Sequence, residues 1–414
     1  MTKRKSDITT LPLLSEYDQA AETARYYNFA AIETPRLTKD VLQKIRLLKD
    51  EDIPCKSGSV SEDMLLSSHL EGRAIMLELF SGDWQKLSKP ISVFYELPIK
   101  KPGGKKRLPR IGQYALDIIG SEQSISDAAI IQTVKSILED EGYKGLTFAI
   151  NCVGEREVVS RFEKELTAYF RKNIHLLTPD QQQLFKDSVF SLLQCAKETA
   201  EYIALREEAP KAMSFLSEEE RNYFKEVLEY LERLNIPYEI DGFLMENRHY
   251  STHISFQVRD EKGTLLGTGS RYSGLARKLG SRKEIPAIGA TLYYRLLKPR
   301  AKIKEKSFPT RQFYFMQLGL EAKLKCLSVI EMLRKKRIPL TYMLTRDKAS
   351  SQLGLADTLK LPYVLIMGQK EAHENTIAVR DNSTRSQKTI FFDEIPSHLL
   401  SIKKIFAKQK SKNA

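Results

Sequence analysis

Nowhere in its 414 residues does this chain hold a run of about 18 apolar residues, so no membrane-spanning helix is expected. The opening MTKRKSDITT carries charges but no apolar signal core behind them. Cysteine is scarce: Cys55, Cys152, Cys195 and Cys326 lie far apart. They show neither the close spacing of a metal site nor the density of a disulfide framework. A reducing cytoplasm is the compartment such usage implies. No internal repeat is evident. Acids do not balance bases: 53 Asp and Glu face 66 Lys and Arg, for a net charge of +13. An excess of that size points to an anionic partner, with nucleic acid first.

The placement of that charge is informative. VFYELPIKKPGGKKRLPRIGQYALDIIG, residues 93–120, reads as two strands joined by a loop kept open by Pro102, Gly103 and Gly104. Its tip gathers Lys100, Lys101, Lys105, Lys106, Arg107 and Arg110, which mark it as an RNA or solvent contact more than a nucleotide clamp. The last thirteen residues hold five lysines and no acid. Lys298 to Arg311 carries six cations, one acid and two prolines, and reads as a linker.

Periodicity divides the rest. Residues 15–35 read as a short helix, then a strand ending at Pro35. DAAIIQTVKSILEDEGYK has helical spacing and a Gly142 stop, and GLTFAINCVG is a strand. A polar helical stretch runs from about 155 to 234. YEIDGF, HISFQVRD and TLLGTGSRY are strand-like, and AIGATLYYRLLK (287–298) starts as a strand and turns helical. After the linker, strands alternate with helices, as in a small α/β domain with a partly parallel sheet. The expected fold is α+β: a core with an antiparallel sheet (1–160 and 235–300), a helical insertion (161–234), and a C-terminal unit (301–414) of linker, α/β domain and basic tail. His249 and His253 would sit on one face of a strand about 13 Å apart, too far for one ion, so no metal site is expected.

These phrases resemble the class II aminoacyl-tRNA synthetases, and specifically the histidyl-tRNA synthetase family. AIETPRL resembles the motif 1 strand, HLEGRA (69–74) the family's glutamate-glycine motif, and VFYELP through QYALDIIG motif 2. KGLTFAINCVG, APKAMSFLSEEERNYFKEVLEYLERLNIPYEID and GSRYSGL are similar in phrase and order. RKKRIPLTYML, SSQLGLADTLKLPYVLIMG and TIAVRD resemble the family's anticodon-binding domain. The resemblance implies a class II synthetase-like antiparallel core, a homodimer built on motif 1, tRNA as partner and no membrane. It also implies ligase chemistry with histidine and ATP, in which fixed cations stabilise charge at the phosphates.

The chain departs from the family where that chemistry resides. The arginine that the family places on the first motif 2 strand, for the α-phosphate and the carboxylate, is Phe94 here. A second one is Leu97, and the arginine near the α-phosphate matches Glu246 in LMENRHYSTHISF. A register slip there would let Arg248 stand in. Other positions survive. Glu71, Gln113, Asp117, Tyr250 and Tyr272 match an amino-acid pocket, with Ser251 in place of a second tyrosine. Glu96 matches the glutamate facing adenine, Arg107 a motif 2 loop arginine, and Arg295 falls one residue early for the γ-phosphate arginine. Tyr293 and Tyr294 either fill the nucleotide's space or are core aromatics. No catalytic residue is assigned, and ATP with Mg is implied only for a chain that keeps ligase activity. The expectation is a paralogue impaired in adenylation that binds tRNA or regulates. The alternatives are an active histidine–tRNA ligase, and a histidine-sensing protein like the synthetase-like regulatory subunit of ATP phosphoribosyltransferase.

Overall fold

The computed structural model describes residues 12–34, 39–51, 70–79, 90–97, 111–196, 198–247 and 249–412. The six cations of the hairpin tip and Arg248 lie outside the described residues. An eight-stranded sheet forms the core. Its order is Ala30–Ala31, Ile91–Glu96, Ile111–Ile119, Ala287–Arg295, Leu265–Arg271, Thr252–Arg259, Thr147–Cys152 and Tyr238–Ile240. The outermost pair at each edge is parallel and every other pairing is antiparallel.

Strand side chains alternate between two apolar layers. Phe94, Tyr114, Leu116, Ile288, Ala290 and Leu292 pack toward the helices Gln19–Tyr26 and Ser124–Glu141. Val93, Tyr95, Ala115 and Tyr272 belong to the opposite layer, with Leu70, Ala74 and Leu77 of the helix over 70–79. Ser124–Glu141 is buried nearly all round, as its Ile-rich sequence allows. It ends at Gly142, whose φ of +117° lets its N–H reach back to the Leu138 and Glu139 carbonyls.

Ala287–Arg295 is strand throughout, where a turn to helix was expected. It lies between two strands with both faces covered, so its apolar residues run together without polar alternation. The same run satisfies a helical pattern. The helical region also divides. Val159, Phe162, Leu166, Phe170, Tyr202 and Leu205 form their own apolar cluster. Glu218–Arg233, started by a Ser217–Glu220 capping box, instead sends Phe224, Val227, Tyr230 and Leu231 into the main core.

The C-terminal domain has a five-stranded sheet ordered Leu340–Tyr342, Phe313–Gln317, Tyr363–Met367, Thr376–Asp381 and Gln387–Phe391. The first three strands are parallel and the last two antiparallel. The basic tail is helix, Ile395–Lys412. Helix Leu320–Lys335 seats this domain on the core. Arg334 bonds Glu331 and, at 2.5 Å, Asp140, while Tyr27 donates to Glu331. Residues 298–311 are likewise tied down. Ile303–Lys304 pairs with Glu16–Tyr17, and Arg300 reaches Asp18 at 3.1 Å and Glu96 at 2.9 Å.

Candidate functional site

Strand alternation sets the site. Gln113, Ala115 and Asp117 point to one face of Ile111–Ile119, beneath the helix over 70–79. Asp117 is 1% exposed and accepts from the Tyr95 hydroxyl at 2.7 Å and the Tyr272 hydroxyl at 2.6 Å. Burial pushes its carboxyl above the usual range, while the two hydroxyls and Arg73 pull the other way. Directly across the ladder sits Gly289. A Cβ there would meet Asp117 Oδ1 at 2.1 Å, so only glycine leaves room for the carboxylate. Gln113 is buried, and its Oε1 has no hydrogen-bond partner. Tyr272 is fully buried, and Tyr250 is buried close enough to Arg73 to act on its charge. Glu71 is half-buried on the helix over 70–79.

Sequence reasoning missed the group at the centre of this layer, Arg73. Its guanidinium forms a two-pronged pair with Glu246, at 2.5 and 3.1 Å, with side chains only 3% and 5% exposed. Arg73 also donates to Ser270 Oγ and to the Gly289 carbonyl, both at 3.2 Å, and lies over the Tyr272 ring at 4.7 Å. Glu246 accepts in addition from Thr268 at 3.0 Å and from Ser270. Burial weakens the hold of Arg73 on its proton, and the Glu246 carboxylate more than reverses that. Ser251, which stands where the family has a tyrosine, turns inward toward Ser270 at 3.3 Å. The Glu246 carboxylate is therefore neutralised from within, by an arginine that reaches the residues named for the pocket. The available signal was an arginine in HLEGRA and an acid at 246, two charges of opposite sign.

Of the remaining expected positions, Leu97 and Tyr293 share the pocket side, while Phe94, Glu96 and Tyr294 do not join the cluster. Phe94 lies on the other face, opposite Leu116 in the ladder, and stacks on Tyr114 at 5.2 Å between ring centres. Between Val93 and Tyr95, the pleat turns position 94 toward the helices. Leu97 is buried on the pocket side. Glu96 is taken by Arg300, which also bonds the Tyr114 hydroxyl at 2.7 Å. Arg295 is exposed at the end of its strand, paired with Ile111, six residues along from Asp117. The two readings of the tyrosines separate. Tyr294 is core, packed on Tyr114 and Tyr143, while Tyr293 shares the Gln113 side. Among the described residues no group of three potential metal ligands converges, and His253 sits at a register shift with φ of +49°.

Chemically, the cluster is a closed ion pair beside a carboxylate held by two phenols. It has one buried acceptor, Gln113 Oε1, left without a donor. Among the described residues it offers hydrogen bonds but no guanidinium free of a carboxylate for a phosphate.

Comparison with known proteins fits this picture. The family described as "Anticodon binding domain" matches residues 312–402. A histidine–tRNA ligase of Anoxybacillus flavithermus is 28% identical over 396 residues, covering 92% of this chain and 93% of the relative. The histidine–tRNA ligase of Bacillus subtilis is 27% identical over 390 residues, covering 90% and 91%. The solved structure of apo S. aureus histidyl-tRNA synthetase aligns over 92% of this chain and 93% of that one, at 23% identity and a TM-score of 0.48.

Proposed function

We propose that this chain, which is similar to histidine–tRNA ligases over most of its length, acts by binding tRNA and has lost the ordinary ability to activate an amino acid. The observation that carries the proposal is the buried Arg73–Glu246 pair. A synthetase site must meet the carboxylate and α-phosphate of its substrates with unengaged cations. Here the guanidinium among the pocket residues is fully used by a carboxylate of the same chain, and position 94 holds an aromatic ring turned away. Removing a single preorganised stabiliser typically costs on the order of 10²–10³ in rate. The anticodon-binding match at 312–402 and the charge of +13 support the RNA side of the proposal.

Three measurements bear on it. ATP–pyrophosphate exchange with histidine is expected at least about a thousandfold below an ordinary synthetase, and millimolar histidine should leave the melting temperature unchanged. Filter binding at low salt should detect a tRNA complex. Robust exchange would overturn the loss of adenylation, and no complex at low salt would overturn tRNA binding.

A further inference from the structure

We propose that the junction of the N-terminal helix, the linker and the C-terminal domain is a phosphate-binding site centred on Arg311 and Arg25, filled by a backbone phosphate of an RNA that crosses both domains. The choice of RNA rests on the tRNA-binding proposal above; the site itself does not.

The argument is an imbalance of donors over acceptors. Arg311 closes the linker and is half-buried. Its Nη2 donates to the Arg25 carbonyl at 2.7 Å, its one hydrogen bond among the described residues. Among the described residues no carboxylate pairs with it. Its neighbour Arg25 is also cationic and lies 4.3 Å from the centre of the Phe308 ring, with Arg311 at 5.9 Å from the same ring. The acids nearby are committed elsewhere or held loosely: Glu22 takes Arg337 at 2.6 Å, and the half-exposed Glu305 stands 3.7 Å from Arg25.

Two neutral donors add to the excess. The hydroxyls of Tyr17 and Tyr26 are buried without a hydrogen-bond partner, Tyr17 beneath Arg25 and Tyr26 against Phe308. Like charges converging on one ring repel unless an anion joins them. A guanidinium fork matches phosphate oxygens in pairs, and a second arginine strengthens that preference. Burial and the Arg25 charge both weaken the hold of Arg311 on its proton, which an arriving anion would reverse. The structural alternative is that both arginines serve only as stacking partners for Phe308.

The test has two arms on the full chain. In the first, tRNA affinity is measured over a series of salt concentrations for the native protein, Arg311→Gln, Arg25→Gln and Arg311→Lys. Each Gln change should make the log–log slope less negative by about one, while the Lys change keeps it. In the second, inorganic phosphate is compared with chloride at equal ionic strength, reading melting temperature. The native protein should be stabilised by phosphate and Arg311→Gln should not. A slope change with or without the phosphate effect supports an RNA phosphate. A phosphate effect without a slope change keeps the site but assigns it to free phosphate. If native protein binds no tRNA, the tRNA-binding proposal fails and the phosphate arm alone judges the site. If Gln variants match native protein in every arm that can be read, the two arginines are stacking partners and the site is refuted.

Discussion

The sharpest perturbation available is to break the Arg73–Glu246 pair one side at a time. Glu246→Gln preserves shape but leaves the Arg73 guanidinium facing only neutral acceptors, the new amide oxygen, Ser270 and the Gly289 carbonyl, in a site where the arginine side chain is 3% exposed. Arginine does not shed its proton in proteins. The uncompensated charge must therefore be carried, at about 3–5 kcal/mol. Arg73→Met leaves Glu246 with Thr268 and Ser270 as donors, and a carboxylate has an escape that arginine lacks: it can take up a proton. That variant should lose less, and progressively less as pH falls. Combining the two removes both charges, so the double variant should be far more stable than the sum of single losses requires, with a coupling of about 2 kcal/mol or more. Urea unfolding followed by circular dichroism on all four proteins supplies the cycle. Additive losses, each below about 1 kcal/mol as at an exposed pair, would refute the closed buried pair and the functional reading built on it.

Other consequences follow from neighbouring geometry. Gly289→Ala should cost about 1–3 kcal/mol or more, because the added Cβ meets Asp117 Oδ1 at 2.1 Å and the Leu116 carbonyl at 2.9 Å; an unchanged urea midpoint would contradict the packing. Asp117 has a raised pKa, so the folded chain holds its proton more tightly than the unfolded one. Stability from this group should fall as pH rises from near its ordinary 3.8 through the raised value. Asp117→Asn should flatten that decline, and a decline of the same size in the variant would assign it elsewhere. Arg300→Gln should cost less than about 1 kcal/mol, since its side chain is 38% exposed; a larger loss would make the linker arginine a structural anchor. Finally, pairing through the motif 1 region predicts a homodimer with a large apolar interface, and a monomer mass by light scattering at micromolar concentration would end that idea.

Much of the fold was legible because it follows from local rules. The Gly142 stop and the strand–helix alternation after the linker are short-range signals, and each appears where it was read. One segment misled for a physical reason: Ala287–Arg295 lies between two strands with both faces covered, which removes the polar face that periodicity needs. No local pattern tells a doubly covered strand from a buried helix, or a core helix from an insertion helix.

For the site, the sequence alone determined the list: Gln113 and Asp117 two pleats apart, tyrosines at 250 and 272, an acid at 246 and an aromatic at 94. It could not say which of these meet. Only the tertiary structure decided that Phe94 and Asp117 lie on opposite faces, because the sheet register is fixed by pairing partners far along the chain. Only the tertiary structure brought Arg73 to Glu246 across 173 positions of sequence. A charge in the list is a property of one residue, but whether it is free to meet a substrate depends on the other charges folded against it.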